Sequence, residues 1–169
     1  MLHGWDNFFM TAGAAAATLI GLLFVAITLG ADLSTPRGTQ GTRAFLTPTI
    51  FQFGAVLFQC LALLAPWPSA WAAGIVLGLC GLTGFIYQVA VIIMQCKAEF
   101  ASLDWMDFAL FSAAPVLSHA SLIAGAAGLI AGSSFAPYAI AITLLLLSGI
   151  RGAWVLTLWI ASNRDKIKT

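Results

Sequence analysis

Five stretches of this chain are long, apolar and almost free of charge, and they decide what it can fold into. They cover roughly residues 8–31, 44–65, 70–94, 107–132 and 136–161. Each supplies the run of about 20 apolar residues that a helix needs to cross a bilayer core about 30 Å thick. In such a core the backbone has no water to bond, and a helix satisfies every amide within its own segment. Composition closes the alternatives. Charged residues make up 8% and hydrophobic residues 61%, against about 25% and 45–50% in soluble domains. A soluble fold would lack polar surface, and a disordered chain needs charge that is absent here. A net charge of +1 excludes a nucleic-acid binder, which needs a dense basic face. The expected fold class is all-α: one integral membrane domain over residues 1–169, a bundle of five transmembrane helices in the lipid bilayer.

The links set the expected orientation. Those at Pro66–Ser69 and Ser133–Phe135 are tight and demand antiparallel hairpins. Five spans put Arg37, Arg43, Lys97, Arg164, Lys166 and Lys168 on one side, with no Lys or Arg opposite. The positive-inside rule then predicts N-terminus out and C-terminus in. Trp5, Trp67 and Trp71 fall at the outer interface, Trp105 and Trp159 near the inner one. Met1–Phe9 holds no Lys or Arg ahead of the first apolar run, so that run is expected to be a retained span and not a cleaved signal. Asp32–Arg43, rich in Gly, Ser and Thr, reads as a solvated loop in which Pro36 ends a helix. Phe100, Leu103 and Met106, three residues apart among charges in Lys97–Asp107, suggest a short interfacial helix.

Helix association in lipid depends on small residues that let backbones approach. Gly13, Ala17 and Gly21 in the first span, Gly74, Gly78, Gly81 and Gly84 in the third, and Ser118, Ser121, Gly125, Gly128 and Gly132 in the fourth are the expected packing stripes. They serve contacts within the chain or, between chains, a homo-oligomer.

The polar residues inside the spans are few. Arg151 stands near mid-membrane in the fifth span, where a charge costs at least about 2.5–3.5 kcal/mol. Gly149 and Gly152 flank it with room for a guanidinium, and Trp154 stands three residues on, within stacking reach. The acids Asp6, Asp32, Glu99, Asp104, Asp107 and Asp165 all sit at or beyond span ends. His119 lies at nearly the depth of Arg151, and Gln52, Gln59, Tyr87 and Gln88 add polar groups on the second and third spans. Together these are the candidate binding residues. A fixed Arg with neutral neighbours favours an anion, and His119 adds a titratable group.

Other chemistry finds little support. A bis-histidine haem needs a second buried His, and His3 lies at the terminus; no cofactor is expected. Cys60, Cys80 and Cys96 form no metal-ligand pattern. Asp104 and Asp107 are read as first-turn acids that complement a helix dipole, and no nucleophile–base pair is visible.

The opening Trp5-Asp-Asn-Phe8-Phe9, followed by Gly13-Ala-Ala-Ala-Ala-Thr-Leu-Ile-Gly21-Leu-Leu-Phe-Val-Ala-Ile, resembles the first helix of small uncharacterised bacterial multi-span membrane proteins. The resemblance covers about the first thirty positions. It implies a bacterial inner-membrane protein, and neither an activity nor site residues come with it. The functional expectation is a small oligomeric channel or transporter-like protein with an anion-attracting site inside the membrane. The alternative is a structural or regulatory subunit that docks another membrane protein through small-residue helix faces.

Overall fold

The structure, a computed structural model, describes residues 4–30, 36–97, 112–130 and 135–163. It is all-α, with five helices in chain order: α1 Asp6–Gly30, α2 Pro36–Leu64, α3 Ala70–Lys97, α4 Ala114–Ile130 and α5 Ala136–Asn163. Four are long and apolar enough to cross a membrane, over Asp6–Thr28, Leu46–Leu64, Ala70–Ile93 and Ala136–Leu158; α4 is apolar but only 17 residues long.

Local chemistry explains the helix ends. Asp6 stands in the first turn of α1, where a carboxylate complements the helix dipole. Ser69 caps α3: its Oγ accepts the amide of Ala72 at 3.3 Å, the bond expected of a serine at a helix start. The Phe135 carbonyl accepts from the amides of Tyr138 and Ala139 at 3.1 and 3.2 Å and so starts α5. Pro36 corrects the loop expected over residues 32–43, because it opens α2 and the helix runs on through Arg43. At the first helical position the missing N–H of proline would be unpaired anyway, and its fixed φ already suits the helix. The interfacial helix expected over Lys97–Asp107, the start of the fourth span at Asp107, and Trp105 all lie outside the described residues.

Helices α2, α3, α4 and α5 close into a ring in that order, and α1 lies outside it on α2 and α5. The seams are unequal. The α3–α4, α2–α5 and α4–α5 seams are extensive, whereas α2 and α3 touch sparingly. The α3–α4 seam is built on glycine. A methyl group at Gly74 would meet Ile130, one at Gly78 would lie 3.3 Å from Cβ of Ala126, and one at Gly81 3.1 Å from Cβ of Leu122. The pairing fixes an antiparallel register along the whole of α4. Leu77, Leu122, Ile142 and Leu145 fill the ring without exposure. A smaller cluster of Leu23, Ile27 and Leu156 ties α1 to α5 near the other end.

The outer surface is as apolar as the core. Leu22, Leu61, Trp71 and Ile86 are each about 60% exposed, an arrangement that suits lipid and not water. Exposed hydroxyls are satisfied within their own helices. Thr11, Thr18 and Thr157 each donate to the carbonyl four residues back, at 2.7, 2.9 and 2.8 Å. Such back-bonding is what a threonine facing hydrocarbon requires.

Candidate functional site

One face of α2 sets the interior of the ring. Thr49, Gln52, Val56, Gln59 and Leu63 follow each other at alternating intervals of three and four, the spacing of one helix face, and all five are buried. Three of them are polar. The other ring helices also carry buried polar residues: Gln88 on α3, Ser118 and His119 on α4, and Ser148 on α5.

Helix rise converts these positions into depths. At a rise of about 1.5 Å per residue, Gln52 lies about 18 Å inside the Leu64 end of α2. Ser148 lies about 18 Å inside the Ala136 end of α5 by the same rise. His119 lies about 17 Å inside the Ile130 end of α4. Thr49 and Arg151 stand one turn deeper than Gln52 and Ser148, each about 23 Å inside its helix end. Gly84 of α3 stands against His119, and Gln88, one turn further along, lies about 27 Å inside the Ala70 end of α3. Polar residues from all four ring helices therefore fall within one band about 10 Å thick. Above it, Val56, Leu122 and Leu145 lie about 12–14 Å from the same ends. All three are fully buried and form an apolar layer between the polar one and the ends joined by the tight turns.

His119 is the most enclosed member. It is fully buried, and its ring rests on Gly84, where an added methyl group would fall within the imidazole. Phe51 of α2 stands 6.4 Å away, centroid to centroid, at 59°. Phe51 itself lies on Tyr87 of α3 at 4.0 Å and 30°. Neither ring nitrogen of His119 finds a hydrogen-bond partner among the described residues. Gln59, fully buried beyond the apolar layer, faces the Cys80 thiol of α3.

Arg151 is half-buried and has a partner. It stands two heptads along α5 from Pro137, whose Cβ lies 3.4 Å from the methyl position of Gly125 on α4. Arg151 thus lies within about 40° of the face of α5 that Pro137 turns to α4, and about one turn deeper than His119. Gly149 does not make room for its guanidinium. That space is taken by the ring of Phe53 from α2, 2.5 Å from where a Cβ would be. Trp154 is 57% exposed and points outward.

The small residues divide similarly. Gly13 meets Cβ of Cys60 at 3.1 Å, and Gly125 lies under the ring of Tyr138. Ala17 and Gly21 are exposed, with open space at the Gly21 methyl position, and Gly128 is half-buried. A separate cavity of about 310 Å³ opens near the α2–α3 turn between Leu63, Trp67, Ala73, Leu77, Leu129 and Phe135. The Trp67 indole is fixed beside it by a 2.5 Å bond to the carbonyl of Ala62.

Sequence reasoning passes over Thr49 and Ser148, and takes Ser118 only as a packing residue, because single hydroxyls in apolar helices carry no signal alone. The three-and-four spacing of Thr49, Gln52 and Gln59 is the signal that picks out the interior face of α2. No protein-family model, curated protein or solved structure matches this chain.

Proposed function

We propose that this chain is a five-span protein of a bacterial inner membrane, with its N-terminus outside, and that it passes a small anion through the ring of α2 to α5. The observation that carries the reading is the polar layer drawn from four helices beneath an apolar layer. A ring held together by packing alone gains nothing from glutamine, histidine and arginine within one band of depth. Arg151 supplies the fixed positive charge, and Gln52, Gln88 and Ser148 supply neutral hydrogen bonds. Val56, Leu122 and Leu145 then act as the closed constriction.

Two features support five spans. At 17 residues α4 is about 25 Å long, slightly short of a bilayer core, yet it runs in register along α3 from Gly74 to Gly84. A helix packed that way shares the depth of its neighbour. The six basic residues on one side of a five-span arrangement give the orientation.

The test is anion flux into liposomes from wild type and Arg151→Gln. The expected result is flux in wild type and its loss in the variant. No flux from folded wild-type protein at any applied potential would refute the reading. A second reading is docking to another copy or to a different membrane protein. The outward face of α1 favours it, because Ala14, Ala17, Thr18 and Gly21 present small exposed residues at helical spacing. A single mass corresponding to one chain in detergent would count against that surface as a homo-oligomer contact.

A further inference from the structure

The polar layer has an entrance that the transport reading does not use. Of the four ring seams, α2–α3 is the sparse one, and His119 lies behind it. The seam is closed at that level by two rings, Phe51 and Tyr87, each half-buried and so at once part of the seam and of the outer surface. Toward the Leu64, Ala70, Ile130 and Ala136 helix ends, by contrast, the fully buried Val56, Leu122 and Leu145 stand at depths between His119 and those ends. The sparse seam therefore offers a lateral route from the bilayer to the imidazole, past Phe51 and Tyr87.

We infer that His119 is the polar anchor of a lateral site that takes a neutral, membrane-dissolved molecule carrying a carbonyl or hydroxyl group. The recognition chemistry follows from the surroundings. A neutral imidazole offers one donor and one acceptor, and both nitrogens lack a partner among the described residues. A buried polar group in that condition is normally satisfied by a bound molecule or an ordered water. A charged headgroup is disfavoured, because the walls at this point are Phe51, Gly84 and Leu122, and a charge among carbon atoms carries a large desolvation cost. A carbonyl accepts from the imidazole N–H, and a hydroxyl can also donate to the other nitrogen. Phe51 and Tyr87 offer flat apolar faces to the rest of the molecule, and they must part to admit it.

The lateral site rests on the reading that the layer binds a ligand, but not on anion movement past Arg151. The experiment uses full-length protein in liposomes, labelled with 15N-histidine and carrying His3→Gln, which leaves His119 as its one histidine. Two probes are added to the bilayer, a decyl-substituted benzoquinone and 1-decanol. The expected result is a saturable shift of the ring 15N resonances with at least one probe. Gly84→Ala, which displaces the ring, should abolish the shift, and Tyr87→Ala should speed exchange between free and bound signals. Circular dichroism checks that each variant is folded. Absence of a shift with both probes in folded protein overturns the inference. So does magnetisation transfer from bulk water to the ring without any probe response, which assigns the site to water. Loss of flux in Arg151→Gln bears on the transport reading and leaves this result untouched.

Discussion

Gly84→Ala is the sharpest perturbation of this fold, because the added methyl group has nowhere to go. Its Cβ would fall inside the His119 ring, and 2.8 Å from Nε2, about 1 Å inside the separation at which non-bonded heavy atoms attract best. The ring has no exposure into which it can swing. Overpacking of this kind costs about 1–3 kcal/mol. Two other glycines calibrate the figure. At Gly78 the methyl would lie 3.3 Å from Cβ of Ala126, so a few tenths of an ångström of relaxation suffice. There the loss should stay below about 1 kcal/mol, since alanine recovers about 0.5–1 kcal/mol of helix propensity. At Gly21 nothing lies within 4 Å, and alanine should be neutral or slightly stabilising. The assay is equilibrium unfolding in mixed micelles, titrated with SDS and followed by far-ultraviolet circular dichroism. A double-mutant cycle completes it: His119→Ala removes the ring and leaves space that the new methyl group can occupy. Gly84→Ala should therefore cost much less in the His119→Ala background, with a coupling of about 1–2 kcal/mol, inside the range found for touching residues. Additivity within about 0.5 kcal/mol, or equal costs at Gly21 and Gly84, would refute the packing argument.

Gly149→Ala should lose about 1–3 kcal/mol by the same mechanism, and Phe53→Leu should restore part of it in the same unfolding assay. Trp67→Phe keeps an aromatic ring at the α2–α3 turn but removes the bond to the carbonyl of Ala62; the expected loss is about 0.5–1.5 kcal/mol. Gln59→Leu replaces a buried amide that faces the Cys80 thiol, a weak hydrogen-bond partner, by a side chain of similar size, and ligand-free protein should be unchanged or only slightly less stable. A loss above about 1 kcal/mol, the net worth of a typical hydrogen bond, would show that the amide is bonded more strongly than that. In liposomes, Leu122→Ser should raise anion flux by wetting the apolar layer, and unchanged flux would remove that layer as the constriction.

Much of this architecture can be read along the chain, for reasons that differ by element. Helix number and class follow from apolar length alone. The α3 stripe is legible because Gly74, Gly78, Gly81 and Gly84 mix steps of four and three, which holds them on one face. The α1 stripe misleads because Gly13, Ala17 and Gly21 advance by four each time. At 3.6 residues per turn each such step drifts by about 40°, so Gly21 has left the face on which Gly13 meets Cys60. Pro36 misleads for a different reason: proline is punctuation at both ends of a helix, and only the fold decides which. His119 and Arg151 stand within about one helical turn of each other in depth, which the sequence conveys; the neighbour each one faces depends on how each helix is turned about its own axis.

The distribution of polar groups argues that the interior is more than glue. A threonine or serine can satisfy itself in hydrocarbon by donating to its own helix, and the exposed Thr11, Thr18 and Thr157 do so. Glutamine and histidine have no such local solution, and in a lipid-facing position each would carry the full cost of an unmade bond. Placing them inward is forced; leaving one of them without partners is not. Were His119 present to fasten helices together, its bonds would run to a neighbouring helix, since interhelical polar contacts act by closing such pairs. Instead both nitrogens of His119 lack hydrogen bonds among the described residues, while the α3–α4 seam beside it is closed at Gly74, Gly78 and Gly81 by close packing. Packing already holds these helices, so the unmet hydrogen-bonding capacity is available to something that enters the ring.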